Sequence, residues 1–287
     1  MCRFVAYLGS PILVEEILTK PKNSLIHQSF DALESEMTVN GDGFGLGWYD
    51  KTIREKPALF RSIQPAWNDE NLLYNASFIK SSCFLVHIRA ATEGGVSIEN
   101  THPFHYQHSL MMHNGGILEF DKIKKDLVGL LDEEAFSWIK GQSDTQYIIA
   151  LFMTFLRLKK TDEIKATADQ LVTCFKETFR AIDELKKAKN LTQSSLYNIV
   201  MTDGDRIIAT RYSTNPEEET RTLYYTEKLS TYTYEGVLHT IDAHEARTAT
   251  LLSSEKLNHS DVWREVPQNH AVFIDKDMEV TLYDLDN

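Results

Sequence analysis

The chain has 287 residues, 42% of them hydrophobic and 25% charged, which supplies a sizeable core and excludes an intrinsically disordered protein. A formal net charge of -12 repels phosphate backbones and excludes nucleic acid as an expected partner. The three cysteines, Cys2, Cys83 and Cys174, lack any C-x-x-C pair; this argues against a disulfide scaffold and a structural zinc, and for the reducing cytoplasm.

Met1-Cys2-Arg3-Phe4 lacks the charged-then-apolar pattern of a signal peptide. The longest apolar run, Tyr147 to Leu156, is too short to cross a bilayer, so no membrane partner is expected. No linker or internal repeat interrupts the chain, and one domain over 2–287 is expected. Arg3 to Leu8 reads as a strand and Ile12 to Leu18 as a short helix entered through Ser10 and Pro11. Gly43 to Tyr49 and Ala58 to Arg61 read as strands, Asn71 to Lys80 as a helix. Phe84 to Arg89 and Ser109 to His113 are short apolar runs that suit buried strands.

Ser143 opens a helix through Leu158, with Gln146 placed to complete a capping box. A second helix runs from about Ile164 to Lys189, with Leu171, Phe175, Phe179, Ile182 and Leu185 on one buried face. Lys186 and Lys187 read as part of its solvated face. Beyond Asn190 the texture is β: Leu196 to Met201 and Arg206 to Arg211 flank the hairpin signal Asp203-Gly204. Further strands are predicted at Thr222 to Tyr225, Val237 to Ile241, Ala249 to Leu252, Ala271 to Ile274 and Val280 to Tyr283. Strands, two long helices, then strands predict an α/β (α+β) four-layer sandwich of two antiparallel sheets with helices outside.

Several residues carry chemistry. Loss of Met1, favoured by a small second residue, would give Cys2 both a thiol and a free α-amine. A chain α-amine has a pKa of about 7.7–8.0, so it can take the thiol proton; the plainer alternative is a small residue at a frayed end. Arg89 ends a buried strand, where a guanidinium suits either bidentate capture of a carboxylate or a structural ion pair. His113-Asn114-Gly115-Gly116 offers an amide donor and an unobstructed backbone N–H to an oxyanion, or is a simple Asn-Gly turn. Asp144 at a helix N-terminus is held ionised by the helix dipole and can accept an ammonium, or is an ordinary first-turn acid. Gly41, Gly43, Gly45 and Gly47 alternate in Gly41-Asp42-Gly43-Phe44-Gly45-Leu46-Gly47. That is either a strand face stripped for close approach of another backbone or ligand, or a flexible loop; neither a dinucleotide fingerprint nor a P-loop is present. His102, His105 and His108 lack an acidic or Cys co-ligand set, so no metal and no cofactor is expected.

Together these segments resemble the class II glutamine amidotransferases. The family's Met-Cys, His-x-Arg-x-Ala-Thr, Asn-x-His-Pro, His-Asn-Gly and Ser-Asp-Thr occur in order at Met1-Cys2, His87 to Thr92, Asn100 to Pro103, His113 to Gly115 and Ser143 to Thr145. The resemblance implies the N-terminal-nucleophile (Ntn) hydrolase fold. It implies Cys2 as nucleophile and, through its amine, base; Asn114 and Gly115 N–H as the oxyanion hole; Arg89 and Asp144 on the substrate α-carboxylate and α-ammonium; and Thr92 and His102 lining or ordering the pocket. Synthase members carry Trp after the arginine and His after the threonine, where this chain has Ala90 and Glu93. With no acceptor domain in evidence, it looks like the stand-alone branch that includes the ergothioneine-pathway γ-glutamyl hydrolase and a subunit of fungal glutathione breakdown. Its Gly-Asp-Gly-Phe-Gly-Leu-Gly-Trp run and Trp263 to Pro267 are similar to that branch. The expected activity is cleavage of the γ-glutamyl amide of glutamine or a γ-glutamyl compound through a Cys2 thioester. The alternatives are a glutaminase subunit passing ammonia to a separate partner enzyme, and a catalytically silent binding subunit.

Overall fold

The computed structural model describes residues 2–34, 39–90, 95–215, 217–218, 220–227, 229–234, 237–242 and 248–286, with 229–234 and 237–242 as backbone only. The first half of the chain runs β1 (Arg3–Leu13), α1 (Glu15–Leu18), α2 (Leu25–Phe30), β2 (Phe44–Trp48), β3 (Ala58–Ser62), α3 (Glu70–Ala76), β4 (Lys80–Ile88), β5 (Phe104–Tyr106) and β6 (Ser109–Ile117). The second runs α4 (Phe120–Val128), α5 (Glu133–Trp138), α6 (Asp144–Leu158), α7 (Ala168–Ala188), β7 (Ser195–Thr202), β8 (Ile207–Ser213), β9 (Tyr224–Thr226), β10 (Leu229–Tyr234), β11 (Val237–Asp242), β12 (Ala249–Ser253), β13 (Trp263–Glu265), β14 (His270–Ile274) and β15 (Val280–Asp284).

The strands form two sheets. One follows the order β11-β10-β12-β1-β4-β2-β3, with β9 and β13 added beside β12; the other is β15-β14-β8-β7-β6-β5. The pairings among the described residues are antiparallel. Strand alternation sorts each face into a separate core. Val5, Tyr7, Phe84 and Val86 pack on α1, α2 and α3. Phe4, Ala6, Leu8 and Leu85 instead meet Leu110, Met112, Val200 and Val272 of the second sheet. Met111, Ile199 and Met201 on that sheet's other face pack under α4, α6 and α7. Three cores between four layers make the α/β sandwich that the sequence predicts.

Boundaries differ where tertiary pairing overrides local signals. β1 continues past Pro11, because Ile12 and Leu13 pair with Ser81 and Lys80 after a register shift, so the helix predicted from Ile12 starts only at Glu15. The helix predicted over Asn71 to Lys80 ends at Ala76, and Lys80 already belongs to β4. The capping box at Ser143 does not form. Ser143 Oγ accepts from Thr145 N–H, while Gln146 Oε1 accepts from Lys140 N–H at 2.9 Å and Gly141 N–H at 3.0 Å. α7 starts later than predicted and carries a complete box between Thr167 and Gln170. Lys186 is buried rather than solvated, its Nζ donating to Ser195 Oγ at 3.1 Å, whereas Lys187 stays exposed beside Asp183. Strands β5, β10 and β13 are too short or too polar to declare themselves in sequence.

Candidate active site

The gap between the two sheets gathers the predicted residues at one end. On β1 the even-numbered Phe4 and Ala6 face the second sheet; on β4 the odd-numbered Cys83 and Leu85 do. Continuing the alternation one step from Phe4 and two steps from Leu85, through His87, turns Cys2 and Arg89 to the same side. Because Arg3 pairs with Ile88, Cys2 and Arg89 fall next to each other on adjacent strands. Cys2 Sγ accepts the Ala90 N–H at 3.4 Å. From the opposite sheet, Leu110 and Met112 of β6 face the gap, and Asn114 follows them in register.

His113-Asn114-Gly115-Gly116 therefore lies inside a strand and is not a turn: Asn114 pairs with Asn198 and Gly115 with Tyr197 of β7. On its other edge β6 is covered by β5 only at Ser109, Leu110 and Met111. Beyond them Ile117 N–H donates to Asp144 Oδ2 at 2.7 Å, and backbone alternation puts Gly115 N–H on the same edge. A Cβ at Gly115 would lie 2.0 Å from the Leu196 carbonyl oxygen and 2.4 Å from His113 Nε2, so only glycine fits. Asn114 Oδ1 accepts from Arg221 Nη1 at 2.5 Å.

Asp144 opens α6 and is buried. Its Oδ1 takes Thr145 N–H at 2.7 Å and also lies 3.4 Å from Ser143 Oγ and 3.3 Å from Thr145 Oγ1, so the acceptor capacity for a further donor is on Oδ2. Asn100 sets the entry to this helix, Oδ1 accepting from Gln142 N–H at 2.8 Å and Ser143 N–H at 3.1 Å. The backbone of Arg89 is clamped by the glycine-rich segment, donating to Gly43 O at 2.8 Å and accepting from Asp42 N–H at 3.1 Å. Only Gly45 and Gly47 of that segment lie on β2; Gly41 and Gly43 precede it, Gly43 with φ 111°, so the four do not form one strand face. A Cβ on Gly45 would stand 2.1 Å from the His102 carbonyl oxygen, which the segment leading into β5 lays against it.

His102 packs between the sheets on His87, with ring centroids 4.4 Å apart, and on Phe104. It buttresses the strand that ends in Arg89. His105 turns its Nε2 to the Gln107 carbonyl, and no three His, Cys, Asp or Glu among the described residues form a metal-binding group. Thr92 and Glu93 lie outside the described residues.

His87 Nε2 donates to the His113 carbonyl at 3.2 Å, and His113 Nε2 donates to the Leu196 carbonyl at 2.9 Å while its Nδ1 accepts from Thr145 Oγ1 at 3.0 Å. Burial pushes His87 down to about 3 and lowers His102 and His113 as well. The unfolded chain protonates these imidazoles near the usual pKa of about 6.5, and the folded chain resists until much lower pH, so the unfolded state gains protons first. Folding stability should therefore be complete above that pH and fall as pH drops toward 5, by up to about 1.4 kcal/mol per pH unit for each such histidine. Urea titrations at pH 7.5, 6.5 and 5.5 read this slope; a flat midpoint across them would contradict the buried neutral cluster.

Sequence reasoning missed two arginines. Arg3 is buried and pairs with Glu255 at 3.1 Å, and Glu255 also accepts the backbone N–H of Leu33 and Glu34. Arg221 reaches the site from the segment before β9. Burial lowers the pKa of Arg3, Arg89 and Arg221, and the negative charge of an ionised Cys2 counters that lowering at all three. Guanidinium groups stay cationic at neutral pH, so this end of the gap carries positive charge that favours anionic ligands. Arg3 follows Cys2 directly and was visible; nothing in sequence ties Arg221 to Asn114.

Facing antiparallel sheets between helical layers, with a cysteine and an arginine at the shared end of the gap, define the Ntn-hydrolase sandwich. A family model described as class II glutamine amidotransferases matches residues 17–284, and the chain belongs to that family of enzymes. Among curated relatives, the probable glutamine amidotransferase DUG3 of Saccharomyces cerevisiae is 37% identical over 240 residues, 78% of this chain and 67% of the yeast protein. The γ-glutamyl-hercynylcysteine sulfoxide hydrolase of Mycolicibacterium smegmatis is 24% identical over 95% of each chain. The same-named protein of Mycobacterium tuberculosis is 33% identical over 40% of this chain, which spans about half, 49%, of it. Among solved structures, a glutamine aminotransferase class-II domain protein from Silicibacter pomeroyi shares the fold over 99% of both chains, with TM-score 0.66 and 21% identity.

Proposed function

We propose that this amidotransferase hydrolyses γ-glutamyl amides through Cys2, with residues 2–287 acting as one catalytic domain in the cytoplasm. The observation that carries the reading is the convergence of Cys2, Arg89 and Asn114 from two sheets on one end of the gap. With Met1 removed, the Cys2 α-amine takes the thiol proton and Sγ attacks the γ-carbonyl carbon. Asn114 Nδ2 and Gly115 N–H stabilise the oxyanion, each worth about 3–4 kcal/mol in such sites. The ammonium returns its proton to the leaving nitrogen as the C–N bond breaks, leaving a γ-glutamyl thioester. Water attacks the thioester, the amine takes its proton and passes it to the sulfur, and glutamate leaves.

Arg89 would grip the α-carboxylate and Asp144 the α-ammonium. His102 orders the pocket through His87. Leaving either substrate charge unpaired in a closed site is costly, which selects for an intact glutamyl head. Arg89→Met is expected to raise KM for glutamine and for γ-glutamyl peptides by about 10²-fold, the scale of a lost charge-assisted pair. Steady-state kinetics on both substrates checks it; an unchanged KM removes Arg89 from the pocket.

Likeness over nearly the whole of both chains to a protein named for γ-glutamyl-hercynylcysteine sulfoxide hydrolysis favours a γ-glutamyl compound larger than glutamine as substrate. The other reading, a glutaminase subunit that passes its ammonia to a separate partner enzyme, predicts the reverse order of substrates. Comparing kcat/KM for glutamine with that for γ-glutamyl peptides decides between them. A marked preference for glutamine would sink the reading that the substrate is a larger γ-glutamyl compound.

A further inference from the structure

We propose that Arg221 is a positioning residue of the oxyanion hole, locking the Asn114 carboxamide with its donor Nδ2 toward the reacting carbonyl. The proposal deepens the hydrolase reading and rests on it. A primary amide presents either its oxygen or its nitrogen to a given neighbour, and the two orientations have nearly the same shape. Only one of them is useful at an oxyanion: with Oδ1 turned inward, a lone pair would face developing negative charge. A guanidinium carries donors and no acceptor, so it tolerates only Oδ1 against it. The contact between Arg221 Nη1 and Asn114 Oδ1 therefore selects the catalytically useful flip.

The fold is built to hold that guanidinium there. Asn198, opposite Asn114 in register on β7, donates from Nδ2 to the carbonyls of Arg221 at 3.0 Å and Thr222 at 3.2 Å. Arg211 on β8, itself buried, donates from Nε to the Arg221 carbonyl at 3.0 Å and from Nη2 to the Thr220 carbonyl at 3.4 Å. Its Nη1 is anchored in turn by the Val266 carbonyl at 2.6 Å. Two side chains of the second sheet thus hold the backbone of this segment, which leaves the Arg221 side chain free of any duty in fastening it. That side chain reaches past them to Asn114 and lies within electrostatic range of Cys2 and Asp144.

The experiment uses the full chain, with glutamine and γ-glutamyl-p-nitroanilide as substrates, and compares Arg221→Met, Arg221→Lys, Asn114→Ala and the Arg221→Met/Asn114→Ala pair. Arg221→Met is expected to lower kcat by about 10²-fold with KM within about threefold, because the loss falls on the transition state. Once Asn114 is alanine, removing the guanidinium should cost no more than about another threefold, since residues acting as a unit are non-additive. Arg221→Lys keeps the charge and one donor and should recover part of the loss; it also supplies the kinetic readout should Arg221→Met fold poorly. A kcat for Arg221→Met within about threefold of wild type, or losses that multiply in full in the double variant, would overturn the proposal. Cys2→Ala separates the two levels. If it retains turnover, the nucleophile reading itself fails; if it is inactive while Arg221→Met is unimpaired, only the role of Arg221 fails.

Discussion

Cys2→Ala is expected to abolish γ-glutamyl hydrolysis, lowering kcat by about 10⁴-fold or more, as loss of a covalent nucleophile does in acyl-transfer enzymes. Stability should barely change. Cys2 is half-buried beside Ala90 at the start of the chain, and its thiol makes no contact that β1 and β4 depend on for pairing, so the cost should stay under about 1 kcal/mol. Two further measurements separate the sulfur from the amine. A γ-glutamyl adduct on residue 2, trapped by acid quench and released by hydroxylamine, reports the thioester. A chain that keeps a residue ahead of Cys2 retains the thiol but moves the α-amine away, and the same loss is expected there. Undiminished turnover with the amine displaced would require another base near Cys2.

Gly115→Ala is expected to damage both stability and catalysis. The added methyl would meet the Leu196 carbonyl at 2.0 Å and His113 Nε2 at 2.4 Å, one of them backbone and the other a ring already bonded to that carbonyl at 2.9 Å. β6 must move off β7 or His113 must tilt. Overpacking of this kind costs about 1–3 kcal/mol, and displacing an oxyanion donor costs about 10²–10³ in kcat. Gly116→Ala is the control. A Cβ there has Asp144 Oδ2 as its nearest neighbour, at 3.5 Å, an ordinary contact, so that variant should melt with the wild type. Thermal denaturation of the two alanine variants side by side tests the strand geometry. Equal melting temperatures would mean that β6 does not approach β7 as described.

Much of the candidate site was legible because its parts are local. Cys2, Arg89, Asn114, Gly115 and Asp144 each belong to a short segment whose chemistry reads without a partner, and their order along the chain carries the family resemblance. The continuous apolar run of Phe84 to Arg89 likewise announces a buried strand, and helical spacing in α7 announces its buried face, because backbone geometry sets that spacing. The stripped face at Gly45 and Gly47 was readable, but not what fills the space. Against Gly45 that is the His102 carbonyl, brought by the segment that leads into β5.

The chain's own residues thus determine which groups can react and which faces turn inward, since both follow from side-chain type and backbone period. What tertiary structure alone decides is which of those groups meet. Pairing at Arg3 and Ile88 sets Cys2 beside Arg89; packing of one sheet on the other brings Asn114 to the same place; and a segment more than a hundred residues further along lends Arg221 to orient it. Partners so distant in sequence leave no local pattern. Their contact depends on the register of whole strands, where a slip by one residue would turn every one of these side chains to the opposite face.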